Sequence, residues 1–128
     1  MENVLQLTLL KAKLHQAAIT EADLEYEGSC AIDSELLARA GILEYEQIHI
    51  YNITNGERLV TYAIKAPAGS RGICANGAAA HHMRAGDRVI IAAYASMDAA
   101  AAEKFKPRVL ILDENNHIKS ERGMSAVA

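Results

Sequence analysis

LARAGILEYEQIHIY at residues 37–51 and HMRAGDRVIIAAY at residues 82–94 share one order of events. In each, a short helical stretch runs into Arg-Ala-Gly and then into a strand. Glycine ends helices because it enters the left-handed conformation without strain, so Gly41 and Gly86 mark the same joint twice. Two copies of one unit suggest two halves related by a pseudo-twofold axis. Short strands with a few short helices suggest that these halves close into a compact, mainly β barrel.

Reading outward, DSELLARAG at 33–41 forms a helix, with Asp33 or Ser34 as its cap and Gly41 as its stop. EQIHIYNIT at 46–54 alternates as a strand, with Ile48, Ile50 and Asn52 on one face. Asn55-Gly56 then turns the chain back through RLVTYAI at 58–64 as a hairpin. On the N-terminal side, LQLTLLKAKLHQAAIT at 5–20 changes phase near Leu9 and Leu10. Beyond that point Lys11, Lys13 and His15 oppose Leu10, Ala12 and Leu14, which suggests a bulge or bend. TEAD at 20–23 has the form of a capping box and predicts a short helical turn. Residues 66–72 read as a loop, 73–77 as a short extended piece, and AAAHHMRAG at 78–86 as a second small helix ending at Gly86. DRVIIAAYA at 87–95 is a buried strand, SMDAAAAEKF at 96–105 a helix closed off by Pro107, and residues 108–121 a last hairpin with an Asn-rich turn. The tail GMSAVA at 123–128 is expected to fray.

The 128 residues are 51% hydrophobic and 23% charged, as expected of one globular domain over 1–128. A net charge of −3 gives no electrostatic reason to expect nucleic acid or an anionic membrane as partner. Cys30 and Cys74 match no zinc spacing and are too few for a disulfide framework. No apolar run reaches the roughly 18 residues of a spanning helix, and the first 15 residues lack the form of a signal peptide, so a reduced, cytoplasmic protein is expected. His81 and His82 point in different directions on a helix or a strand, and His15, His49 and His117 are scattered, so no metal site is expected.

The chemistry concentrates in LEYEGSCAID at 24–33, where Gly28, Ser29 and Cys30 lie side by side. Three readings are open. Gly28-Ser29 is an ordinary turn, as Gly69-Ser70 shows such pairs to be; or Cys30 is a thiolate nucleophile; or the Gly28–Ser29 bond breaks itself. GSCAI fails the Gly-x-Ser-x-Gly pattern because position 32 is Ile. In self-cleavage the Ser29 hydroxyl attacks the Gly28 carbonyl and turns an amide into an ester, a step helped by a strained bond and by a donor to the developing oxyanion. Glycine reaches strained conformations cheaply and leaves its carbonyl unshielded. Elimination and hydrolysis would then leave a pyruvoyl group. Taken alone, the dipeptide favours the plain turn.

Four motifs taken together change that balance. Lys13-x-His15, YEGSCAID at 26–33, NGERLVTY at 55–62 and NGAAAH at 76–81 resemble, in order and spacing, the aspartate 1-decarboxylase family of pyruvoyl enzymes. The resemblance runs from about residue 10 to 97. It implies a double-psi β-barrel and autocatalytic cleavage into a β-chain of 1–28 and an α-chain of 29–128 that begins with pyruvoyl made from Ser29. It implies decarboxylation of L-aspartate to β-alanine for pantothenate synthesis, through a Schiff base at that group. By the same resemblance Arg58 and Lys13 take the substrate carboxylates, Tyr62 returns the proton, and Thr61 polarises the Gly28 carbonyl during cleavage. Asn76 and the backbone of Gly77, Ala78 and Ala79 line the site, with His15 and Tyr26 close to the cleavage loop. Tyr51 stands where many family members have tryptophan and should preserve an aromatic wall, and position 82 is a second histidine. The family is a homotetramer with sites at subunit interfaces, and a maturation partner is left open. The competing reading is a double-psi barrel that never cleaves and serves as a binding or assembly module.

Spacing tests one part of this. On a regular strand Arg58 and Tyr62 share a face, roughly 13 Å apart, while Thr61 points the other way. Roles for all three therefore need a bulge or a contribution from a neighbouring subunit.

Overall fold

Alternating small apolar and polar side chains carry the chain through nine strands, seen in a computed structural model that describes residues 5–123. These are β1 (Gln6–Ala18), β2 (Glu21–Asp23), β3 (Ser29–Asp33), β4 (Gln47–Asn52), β5 (Arg58–Ala66), β6 (Ile73–Asn76), β7 (Arg88–Asp98), β8 (Arg108–Leu112) and β9 (Ile118–Arg122). Two short helices, α1 (Ser34–Ala40) and α2 (Ala99–Lys104), and a 3-10 turn at Gly77–His81 complete the described residues. The fold is mainly β. Apart from Gly123, the expected frayed tail lies outside the described residues.

The strands run β2-β6-β3-β5-β4-β7-β1-β8-β9 across one sheet. The β1–β8, β2–β6 and β3–β5 pairs are parallel, so the chain must cross over to make each of them. The two echo strands lie next to each other at its centre, β4 antiparallel to β7 with His49 opposite Ala92. Each is entered through a left-handed glycine, Gly41 at φ 75° and Gly86 at φ 95°. Asn52, the residue after the first copy, binds the second. Its amide donates to Asp87 Oδ2 (2.8 Å) and to the His82 carbonyl (3.0 Å) and is itself buried.

The inner face holds Leu14, Ile32, Ile48, Ile50, Ile73, Ile91 and Leu110, closed at one side by Leu36 and Leu37 of α1. That helix starts at Asp33, which accepts from Glu35 N, and stops at Gly41. The expected irregularity of β1 is present, as register shifts against β7 between Leu10 and Ala12 and again between Leu14 and Ala17.

Three expectations need correction. TEAD is not a helical turn: Glu21–Asp23 is β2, because the Thr20 hydroxyl both donates to the Ile73 carbonyl (3.0 Å) and accepts from Ile73 N (2.9 Å) and so commits the segment to β6. Residues 78–86 are not one helix. The 3-10 turn begins at Gly77 and ends at His81, and Gly86 belongs to a separate turn whose amide donates to Ile19 O at 2.7 Å. Finally, Ser96–Asp98 extend β7, and α2 starts only after the Asp98 side chain caps Ala101 N.

Candidate active site

Ser29 opens β3, opposite Asn76 of β6. Its neighbours Cys30 and Ile32 point into the core, so alternation turns the Ser29 side chain to the outer face of the sheet. It is nevertheless only 1% exposed. Asn76 Nδ2 donates to Ser29 Oγ at 3.1 Å, and the Ser29 hydroxyl faces the Glu27 carbonyl at 3.4 Å. Asn76 is held in turn by the Cys74 thiol, 3.0 Å from its Oδ1.

The backbone before Ser29 is clamped as well. Gly77 has φ 60°, and a Cβ built there would stand 2.8 Å from Gly28 Cα, Gly28 N and the Tyr26 carbonyl. Only a residue without a side chain lets the start of the 3-10 turn lie against the Gly28 peptide. At Gly28 itself a Cβ would meet nothing within 4 Å, and its φ is not positive. The left-handed conformation therefore sits at Gly77 and not at Gly28.

Parallel pairing of β3 with β5 aligns Cys30 with Ala63, so Ser29 and Tyr62 each immediately precede a paired residue and share the outer face. β5 pairs with β4 from Tyr51–Arg58 to Gln47–Tyr62 without a register shift. Arg58 and Tyr62 accordingly lie on the outer face and half-buried Thr61 on the inner one. No bulge brings Thr61 round to join them.

The outer face continues across β4. The Arg58 guanidinium lies over the Tyr51 ring at 5.0 Å, and Tyr51 and Tyr94 join hydroxyls at 2.7 Å. His49 meets the edge of Tyr94 at 5.0 Å between ring centroids. Burial, then the bond to Tyr51, push the Tyr94 phenol up to about 12. Further along, β1 presents Lys13 opposite Ala92, which also pairs with His49. His15 follows, its Nδ1 buried without a hydrogen-bond partner; burial first, and then Lys13, Arg122 and Arg88, lower its pKa.

Asn76, Ser29, Tyr62, Arg58, Tyr51 and Lys13 thus share one face of one sheet but do not converge. Three strands separate β1 from β3. At the usual spacing this sets Lys13 roughly 19 Å from Ser29 along the sheet, and Arg58 lies about 13 Å from Tyr62 along its own strand. Ala78 and Ala79 follow Gly77 in the 3-10 turn, Ala79 buried and Ala78 exposed, and Tyr26 is exposed beside the Gly28 peptide.

Other candidates fare differently. Cys30 is fully buried in the core, and burial pushes its thiol up to about 12, so no thiolate forms near neutral pH. Of the adjacent histidines, His82 Nδ1 pairs with Glu57 at 2.9 Å, while His81 is exposed. Two residues of the site region escaped the sequence reading. Cys74 gave no signal, but Tyr94 did, because both echo copies end in tyrosine.

A small, mainly β fold that grips a Gly-Ser bond beside a tyrosine, with two cations on the same face, suits decarboxylation of an anionic amino acid, and comparison with known proteins gives the same class. A model of the aspartate decarboxylase family matches residues 5–119. An aspartate 1-decarboxylase of Alcanivorax borkumensis is 61% identical over 115 residues, 90% of this chain and 91% of that protein. One from Thioalkalivibrio sulfidiphilus is 62% identical over 112 residues (88% and 89%), and one from Halorhodospira halophila 59% over 119 (93% and 94%). The chain is a carboxy-lyase. It belongs to the aspartate decarboxylase family, whose reaction converts aspartate to β-alanine.

Proposed function

We propose that this chain is made as a precursor that cleaves its own Gly28–Ser29 bond and, once matured, decarboxylates L-aspartate to β-alanine and CO2, a supply for pantothenate synthesis. The observation that carries the proposal is the grip on Ser29, a buried hydroxyl fixed by Asn76, in a segment whose Gly28 N and Cα are closely packed by Gly77. A plain turn needs none of this.

In the first step Ser29 Oγ bonds to the Gly28 carbonyl carbon, the Gly28–Ser29 C–N bond breaks, and Ser29 N becomes a free amine. Loss of the Ser29 Cα proton then expels the Gly28 carboxylate and leaves dehydroalanine. Water converts this to pyruvoyl and releases ammonia. Two chains result, 1–28 and 29–128. The residues present fit such a group, since the cradle around Ser29 is closed, polar on the Asn76 side, and too tight at Gly77 for any Cβ. The pyruvoyl carbonyl supplies the electron sink that decarboxylation of an amino acid requires.

The remaining work falls to side chains. Aspartate brings two carboxylates, and Arg58 and Lys13 take them as charge-assisted pairs. Tyr62, on the face of Ser29, returns the proton to the carbon that lost CO2. Counted two residues back along the parallel register from Cys30 and Ala63, Thr61 stands level with Gly28, and it is assigned to polarising the Gly28 carbonyl from the inner face. The spread of these groups over the sheet, with three strands between the β1 of Lys13 and the β3 of Ser29, supports a site completed between copies of the chain. A homotetramer meets that need. The parallel crossovers are compatible with a double-psi barrel.

Ser29→Ala is expected to abolish both chain cleavage and release of CO2 from aspartate. Retained decarboxylation by that variant would overturn the proposal and favour the non-cleaving barrel.

A further inference from the structure

Arg58 reaches the outer face from an edge of the site where its own backbone does little to fix it. Its side chain is exposed, and its described contact is the Tyr51 ring, 5.0 Å from the guanidinium carbon. An exposed arginine has many rotamers, and a cation–π contact restrains it only as well as the ring beneath is restrained. Tyr51 is directly opposite Arg58 on β4, and its ring would be free to turn about χ1 and χ2 if its hydroxyl were in water. It is not. The Tyr51 hydroxyl is tied to Tyr94 at 2.7 Å, and the Tyr94 ring is braced edge-on against His49, with ring centroids 5.0 Å apart. Tyr94 therefore holds the far end of a row that runs Tyr94, Tyr51, Arg58 across three strands.

We propose that Tyr94 is a positioning residue for substrate binding, acting through Tyr51 to hold the Arg58 guanidinium where a substrate carboxylate meets it. This rests on the reading above that Arg58 takes a carboxylate of aspartate. Within one protomer the contacts of Tyr94 are Tyr51 and His49 and not the Gly28–Ser29 bond or Asn76, so the proposal gives it no part in maturation. Its effect belongs in the capture of substrate and not in the steps that follow.

The test is a set of matured variants assayed with aspartate: Tyr94→Phe, Tyr51→Phe, the double Phe variant, Arg58→Ala, and Arg58→Ala combined with Tyr94→Phe. Each is first checked for complete cleavage by intact mass and for an unchanged melting temperature. Losing one hydrogen bond and loosening one cation–π contact should raise KM about threefold to tenfold in Tyr94→Phe, with kcat nearly unchanged. Tyr51→Phe should match it, the double variant should be no worse than either single, and the effect of Tyr94→Phe should vanish in the Arg58→Ala background. An unchanged KM in Tyr94→Phe, or an equal rise with Arg58 absent, overturns the inference while leaving Arg58's own role intact. An unchanged KM in Arg58→Ala would instead overturn the carboxylate reading on which it rests.

Discussion

Asn76 and Ser29 are register partners on β6 and β3, and the amide of one donates to the hydroxyl oxygen of the other across 3.1 Å. A hydroxyl held in this way has one lone pair engaged and its oxygen fixed in place beside the preceding carbonyl. For the proposed self-cleavage position would matter more than basicity, because that attack is intramolecular and its geometry is set before reaction.

Asn76→Ala is expected to slow chain cleavage by about tenfold, the worth of one buried hydrogen bond with a sharply positioned partner. Asn76→Asp should be slowed as well, because a carboxylate cannot donate to Ser29 Oγ. Intact chain measured over time by denaturing electrophoresis gives the rate. Wild-type cleavage kinetics in both variants would remove Asn76 from the maturation machinery.

Gly77 and Gly28 should respond oppositely to alanine. At Gly77 the new methyl would meet Gly28 backbone at 2.8 Å in a left-handed conformation, so about 1–3 kcal/mol of stability should be lost along with cleavage. At Gly28 there is room, and the precursor of Gly28→Ala should fold with an unchanged melting temperature. Thermal denaturation of the two variants compares them directly. Equal losses would mean that the packing of Gly77 on Gly28 is not what holds this segment.

Asp33 gives the fold an acid-sensitive joint. Its buried carboxylate accepts from Glu35 N (2.8 Å), Gly69 N (3.0 Å) and Arg71 N (2.8 Å), so it caps α1 and ties down the 69–71 loop together. Burial works to raise its pKa, but the Arg71, Glu35 and Gly69 N–H groups outweigh it and hold the group below its ordinary value. A carboxylate with a depressed folded pKa contributes stability above its unfolded pKa of about 3.9 and loses it as pH falls through the folded value. Asp33→Ala should cost about 2–4 kcal/mol near neutral pH, and less in acid. Urea midpoints at pH 7 and in the acid range would check both the size and the direction.

Complementation addresses the composite site. Ser29→Ala should be inactive alone and Arg58→Ala weakly active with a raised KM, and co-expressed or refolded together they should regain activity beyond that of Arg58→Ala alone. Sites would then form in which one subunit brings Ser29 and its neighbour brings Arg58. Mixtures no better than the separate variants would confine the whole site to one protomer.

Some of this architecture was legible in the chain and some was not, for identifiable reasons. Asp33 and Gly41 bound α1 as read, and Asn55-Gly56 turns β4 into β5, because caps and tight turns are local chemistry. The Arg-Ala-Gly echo marked two similar strands, but that β4 and β7 lie side by side comes only from the register. Thr20 misled, since its hydroxyl is claimed by Ile73, 53 residues away, and no local pattern carries that information. The 78–86 segment misled likewise, because Gly77 had to start the turn early in order to pack on Gly28. Motif order singled out Ser29, Asn76, Tyr62, Arg58 and Lys13, and alternation put Arg58 and Tyr62 on one face, but the place of the others on that face and their separation emerge only from strand order and register.

The most direct test is a denaturing intact-mass spectrum of the purified protein after long incubation. Two species are expected, one ending at Gly28 and one beginning at residue 29 and lighter than its serine form by one ammonia. A single unbroken chain of 128 residues that persists even with cell extract added would contradict self-processing at Gly28–Ser29.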